Sequence, residues 1–159
     1  MTAAEILSLV QSKVPEAVVE AKAEGIPSPF IVIAPSRIKD VALVLRDDPT
    51  TKFDQLMCLS GMDNGGGKLG VVYHLSSSTF SHSITLKVQV PPEALHVESI
   101  ESIWKTANWH EREAFDMYGI VFDGHPDLRR ILMPDDWDGY PLRKDYKVPE
   151  YYHGMKVPY

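Results

Sequence analysis

Ser83-Ile84-Thr85-Leu86-Lys87-Val88-Gln89-Val90 decides the fold class. Apolar residues occupy every second position and the residues between them are polar. In an extended chain this turns one face to a core and the other to water. Leu69 to Leu75, just upstream, reads as a second strand, and Phe53 to Ser60 as a third. Three strands joined by short turns predict an antiparallel meander. Gly65-Gly66-Gly67 lies between Phe53–Ser60 and Leu69–Leu75. No Gly-Lys-Ser/Thr follows it at P-loop spacing and no helical pattern opens there, so it is a hairpin turn and not a phosphate cradle.

Working outward toward the N-terminus, Thr2 followed by Glu5 has the pattern of a capping box, and Ile6, Leu9 and Val10 share one helical face. Pro15 ends that helix. Ala17 to Ala21 is compatible with helix or strand. Ile26-Pro27-Ser28-Pro29 is a turn, and Phe30 to Ala34 reads as a buried strand. Ser36 is the expected N-cap of a helix running to Arg46, which Asp47-Asp48-Pro49 stops. In the other direction, Ile100 to Met117 is helical, in one piece or two, with Asn108 and Glu111 repeating the capping-box spacing and Gly119 placed as the residue that ends it.

From Asp123 onward the composition changes. Five prolines (Pro126, Pro134, Pro141, Pro149, Pro158) and six aromatics (Trp137, Tyr140, Tyr146, Tyr151, Tyr152, Tyr159) fall in the last stretch. Proline at this density excludes long helices and central strands. A disordered tail would be poor in aromatics, whereas Tyr and Trp are enriched where one protein lies along another. The expected architecture is therefore α+β: a mixed, mostly antiparallel sheet with packed helices over residues 1–122. An extended Pro/Tyr-rich C-terminal arm follows over 123–159 and docks on partner subunits. The part before Pro141 has the alternative of folding back on its own domain.

Composition bounds the function. A net charge of −6 argues against general nucleic-acid binding, which needs a basic footprint. Apolar runs such as Phe30 to Ala34 are far short of the roughly 18–20 residues that span a bilayer. The first residues lack the basic flank and apolar core of a signal peptide, so the chain is expected in the cytoplasm, reaching a membrane only through partners. Cys58 is the single cysteine, which rules out an intramolecular disulfide and a four-cysteine zinc or iron–sulfur site built from this chain alone. His110-Glu111 opens like a zinc-protease helix, but position 114 is Ala, so the second histidine of that motif is missing.

The densest stretch is Trp109-His110-Glu111-Arg112-Glu113-Ala114-Phe115-Asp116-Met117-Tyr118-Gly119-Ile120. Gly124-His125-Pro126-Asp127-Leu128-Arg129-Arg130-Ile131-Leu132-Met133-Pro134 follows, and then Pro141-Leu142-Arg143-Lys144-Asp145-Tyr146. These three blocks, in this order, closely resemble the C-subunit family of proton-pumping NADH–quinone oxidoreductases, respiratory complex I. The match covers about a quarter of the chain. Two departures stand out: Lys147 where many members have proline, and Tyr118 for the more usual Phe.

The resemblance implies a scaffold subunit of the peripheral arm, on the cytoplasmic side of the cell membrane. Its neighbours would be the D and B subunits of the quinone-proximal connecting module, alongside other peripheral-arm subunits. None of the FMN, iron–sulfur clusters and quinone of such a complex would be bound by this chain, and no catalytic or metal residue carries over. Glu111, Arg112, Glu113, Asp116, His125, Asp127, Arg129, Arg130, Trp137, Arg143, Lys144 and Asp145 would then form an assembly motif.

On a helix Arg112 and Asp116 are four apart and able to pair. Glu111 and Glu113 lie about 200° apart and hold different things. One is expected to meet Arg129 or Arg130, the other a partner. Tyr151, Tyr152 and Tyr159 are expected to fill pockets on the D subunit. A close alternative is the equivalent subunit of a membrane hydrogenase or of a ferredoxin- or F420H2-dependent complex. A stand-alone hydrolase and a free binding module are more distant.

Overall fold

Thr2 begins the first helix as the sequence predicts. Its hydroxyl accepts from the Glu5 backbone and the Glu5 carboxylate accepts from the Thr2 backbone, which closes the capping box. This is a computed structural model and it describes residues 1–157; Pro158 and Tyr159, placed in the arm above, lie outside the described residues. Helix α1 spans Ala3–Lys13 and buries Ile6 and Val10. The ambiguous segment after it is strand β1, Val18–Lys22, paired antiparallel with β2, Phe30–Ile33.

A single 3-10 turn, Pro35–Arg37, leads into α2, Ile38–Asp47. Ser36 lies inside that turn and caps nothing. Pro35, with its fixed φ and missing N–H, starts the turn instead. Helix α2 turns Ile38, Val41, Ala42 and Leu45 to the core.

The predicted meander is present as β3 (Gln55–Asp63), β4 (Leu69–Ser77) and β5 (His82–Val90), with both pairings antiparallel. Strand β5 also pairs in parallel with β2, which gives one mixed sheet in the order β1-β2-β5-β4-β3. The alternation in β5 works as read: Ile84, Leu86, Val88 and Val90 are all buried. Leu69, Val71, Tyr73 and Leu75 of β4 face the same way. All three helices pack on this one face, and the core is continuous from α1 and α2 through the sheet to Ile100, Trp104 and Ala114. Trp104 brings a polar tip into it, but its indole N–H donates to the Phe53 carbonyl at 3.1 Å, so burial leaves no donor orphaned.

Strand β6 (His96–Glu98) pairs in parallel with β7 (Val121–Asp123), which straddles the expected boundary between residues 122 and 123. Between them lies α3, Ala107–Tyr118, packed on β3. The helix expected from Ile100 is shorter than the sequence suggested. Residues 100–106 form turns, and the Asn108 capping box does not exist, because Asn108 is already inside α3 and Glu111 bonds elsewhere. Beyond β7, the regular structure among the arm's described residues is a small hairpin, β8 (Tyr151–Tyr152) with β9 (Met155–Lys156). Among the described residues no helix is long and apolar enough to cross a membrane.

Gly119 ends α3 in the left-handed region at φ 72°. A Cβ here would also lie 2.6 Å from the Tyr140 ring and 2.7 Å from the Arg143 guanidinium. Left-handed backbone alone costs a non-glycine residue about 1–2 kcal/mol. Gly119→Ala is therefore expected to lower Tm by at least about 2–4 °C, measured by calorimetry, at roughly that shift per kcal/mol for a chain of this size. An unchanged Tm would contradict both the left-handed backbone at this point and the close approach of the arm.

Candidate functional site: a buried charge network at the end of α3

The three motif blocks meet around α3. Asp116 is fully buried and its carboxylate is saturated. Oδ2 accepts from three consecutive backbone N–H groups, Ile131 at 3.0 Å, Leu132 at 2.7 Å and Met133 at 2.9 Å, and Oδ1 accepts from Arg130 Nη1 at 2.7 Å. Burial pushes this carboxyl up, but the bonds from Met133 and Leu132, then Arg130 and Ile131, outweigh it and hold the pKa below the ordinary carboxylate value. Asp116 thus remains charged and gathers the turn after Arg130 as an oxyanion gathers donors.

Arg130 does more than neutralise it. Its Nη1 also reaches the Asp116 carbonyl, and Nη2 bonds the carbonyls of Trp137 at 2.9 Å and Gly139 at 3.0 Å. The planar fork ties helix, turn and arm together. Arg112, expected to pair with Asp116 along the helix, instead donates to the carbonyls of Arg129 and Arg130 at 3.3 and 3.2 Å. Arg129 is exposed and holds Asp127 at 2.9 Å.

A helix leaves its last carbonyls without intrahelical partners. Here each finds one. Phe115 O accepts from Gly119 N–H at 2.8 Å, Asp116 O from Arg130, Met117 O from Leu142 N–H at 3.2 Å, and Tyr118 O from Arg143 Nε at 2.6 Å. Arg130 and Arg143 also place positive charge at the negative end of the helix dipole. Arg143 lies 4.5 Å over the Tyr140 ring. Lys144 joins through its backbone, donating to Asp63 Oδ2 at 2.7 Å. Asp145 is exposed. Farther along, Trp137 donates to the Tyr146 hydroxyl at 2.9 Å and packs against Tyr152.

One of Glu111 and Glu113 was expected to meet an arginine, but among the described residues neither does; the helix points Glu111 at the chain before α3 and Glu113 outward. The Glu111 carboxylate accepts from Ser99 Oγ at 2.6 Å and from the Ile100 N–H at 2.8 Å, anchoring the turn that precedes the helix. Burial raises its pKa to about 7. The bonds from Ser99 and Ile100 oppose the rise and the charge of Glu101 adds to it. His125 lies 4.0 Å from the same carboxylate. The Asp127 N–H donates to His125 Nδ1 at 3.0 Å, so the ring proton is on Nε2, which donates to the Asn108 carbonyl at 3.1 Å.

Tyr73, on β4, was not singled out in the sequence. Its hydroxyl is buried without a hydrogen-bond partner, and burial together with the Glu111 charge pushes its pKa well above the ordinary value. It reads as a core aromatic in an alternating strand, and no local pattern reveals that it lies near Glu111 of α3. Glu113 alone of the motif carboxylates on α3 faces outward. Among the described residues no group of three or more His, Cys, Asp or Glu is placed to hold a metal ion.

The raised carboxyl has a consequence for stability. A folded pKa of about 7 against an ordinary 4.5 means that the fold favours protonated Glu111. That contribution is complete below about pH 4.5 and is lost as pH rises through about 7. Relative to Glu111→Gln, the wild-type chain should therefore lose Tm between pH 5 and pH 8, read by thermal melts across the range. Parallel melting curves for the two proteins would contradict the assignment.

Comparison with known proteins agrees with this architecture. The family described as respiratory-chain NADH dehydrogenase, 30 Kd subunit, matches residues 31–152. The NADH-quinone oxidoreductase C subunit of Chloroherpeton thalassium is 60% identical over 120 residues, which is 75% of this chain and 50% of that protein. The corresponding C subunit of Chlorobium phaeobacteroides is 52% identical over 132 residues, covering 82% of this chain and 80% of its own length. The chain thus spans half the length of the first relative and most of the second. Among solved structures, the trypsin-resistant fragment of Nqo5 superposes with a TM-score of 0.66 at 26% identity, over 80% of this chain and 100% of that one. A chain of the archaeal membrane-bound sulfane sulfur reductase shares the fold, with a TM-score of 0.73 at 22% identity over 91% of this chain and 85% of its own. The chain belongs to the family of the 30 kDa subunit of respiratory-chain NADH dehydrogenase.

Proposed function

We propose that this chain is a non-redox scaffold subunit in the peripheral arm of a proton-translocating NADH–quinone oxidoreductase, where it is needed to assemble the quinone-proximal connecting module. The observation that carries this reading is how the motif spends its charges. Asp116 and Glu111 are turned inward and bonded to backbone N–H groups on either side of α3. Carboxylates used this way fix the shape of a surface.

The partners are the D and B subunits, with the cytoplasmic face of the membrane reached through them. FMN, iron–sulfur clusters and quinone belong to other subunits, and this chain contributes no active site of its own. The exposed motif side chains, Glu113, Asp127, Arg129, Lys144 and Asp145, are the ones placed for contact between subunits. The extended arm over residues 123–159 docks on these partners.

The fold shared with a membrane-bound sulfane sulfur reductase keeps one alternative in view, the equivalent subunit of a related membrane hydrogenase or ferredoxin-dependent complex. Affinity purification of the tagged chain from native membranes, followed by mass spectrometry, separates them. Recovery of D- and B-type subunits together with NADH-binding subunits is the expected result. Recovery with hydrogenase-type subunits would select the alternative, and recovery of the chain alone would remove the scaffold reading.

A further inference from the structure

The outward side of α3 carries a feature that the internal network does not use. Trp109 is 68% exposed, Leu132 63% and Leu142 51%, an unusual cost for large apolar side chains in water. They are not scattered. A cavity of about 280 Å3 lies between Trp109 and Leu132, and a second of about 170 Å3 lies between Leu142 and the end of β3. His110 and Glu113 line both, so they form the ridge between the two.

Glu113 makes no hydrogen bond or ion pair among the described residues and is the only acidic or basic side chain lining either cavity, apart from His110. Tyr118, in the second cavity, has its hydroxyl pKa pushed up by burial and then by the charges of Asp63 and Glu113. The nearby guanidiniums are committed elsewhere: Arg112 to the carbonyls of Arg129 and Arg130, with its carbon 5.9 Å from the centre of the Trp109 ring, and Arg143 to the carbonyl of Tyr118.

We propose that this face receives a segment of another protein subunit that presents an arginine flanked by apolar side chains. The arginine meets Glu113 on the ridge and its neighbours enter the two cavities. A mainly apolar cavity beside Trp109 and Leu132 and a mixed one beside Leu142, separated by the Glu113 carboxylate, match that pattern in shape and charge. An arginine also suits Trp109, because a guanidinium can bond a carboxylate with its edge while stacking on an indole. The proposal rests on the assembly reading above and gives its partner surface a definite chemistry.

The test is site-specific photocrosslinking in whole cells with Trp109→p-benzoylphenylalanine, followed by mapping of the crosslinked peptide. The expected peptide comes from a different protein and holds an arginine within one helical turn of the crosslink, with apolar residues beside it. Adding Glu113→Arg should lower the crosslink yield at least about tenfold, since like charges are then opposed at the contact. Glu113 is exposed, so this change should leave the fold intact.

A crosslink to a lipid, to a second copy of this chain or to a peptide without a basic residue would overturn the proposal. So would a yield unchanged by Glu113→Arg, or no crosslink at all. Because the readout is taken in cells, it stands apart from complex purification. A mapped arginine segment outside any oxidoreductase subunit would keep this surface and remove the scaffold assignment.

Discussion

A buried carboxylate in a helix must be matched by donors or it destabilises the fold. Asp116 meets this condition with three consecutive backbone N–H groups and one arginine, and the rest of the molecule's C-terminal half follows from it. Those N–H groups can converge on one oxygen only if residues 131–133 curl around it. That curl delivers Arg130 to the helix end and directs the chain toward Pro141, where Leu142 and Arg143 take the last two helix carbonyls. Loss of one partner of a buried pair costs about 3–5 kcal/mol, a large part of the stability of an ordinary domain.

Glu111 does the corresponding work at the other end of the helix, on the turn at Ser99 and Ile100, but with fewer donors. The difference shows in the two acids. Four bonds hold Asp116 below its ordinary value, whereas two bonds do not overcome burial at Glu111, which rises to about 7. One helix therefore carries a permanent charge at one end and a neutralisable group at the other. What remains outside is a surface of exposed apolar residues around Glu113, shaped by these internal contacts and available to a neighbour.

Much of the fold was legible. The period-two pattern of β5 and its neighbour gave the meander, and Thr2 with Glu5 gave the first helix start. Two readings failed because competing interactions won. Ser36 had the identity of a cap, but Pro35 already fixed a 3-10 turn there. Asn108 and Glu111 had capping-box spacing, yet Glu111 found better donors at Ser99 and Ile100. In the site, residue identities were legible and their pairings were not. Arg112 with Asp116 was read from helical spacing, and the pairing of Glu111 or Glu113 with Arg129 or Arg130 from charge alone. The partners of Arg112 and Asp116 come from the reversal of the chain at residues 129–133, and those of Glu111 from the turn before α3, which no periodicity records. The parallel pairing of β2 with β5 escaped for the same reason, since register between distant segments is set by tertiary packing.

The claim underlying the whole account is that the motif fastens the turn after α3 from within. Amide hydrogen exchange of Ile131, Leu132 and Met133 tests it directly, measured on the isolated chain and on Asp116→Ala. The account predicts slow exchange at these three amides in the isolated wild type. It predicts fast exchange in the variant, with the β4–β5 ladder still protected. Fast exchange at all three in the isolated wild type, slowing only inside a complex, would show that the partner and not Asp116 orders the turn.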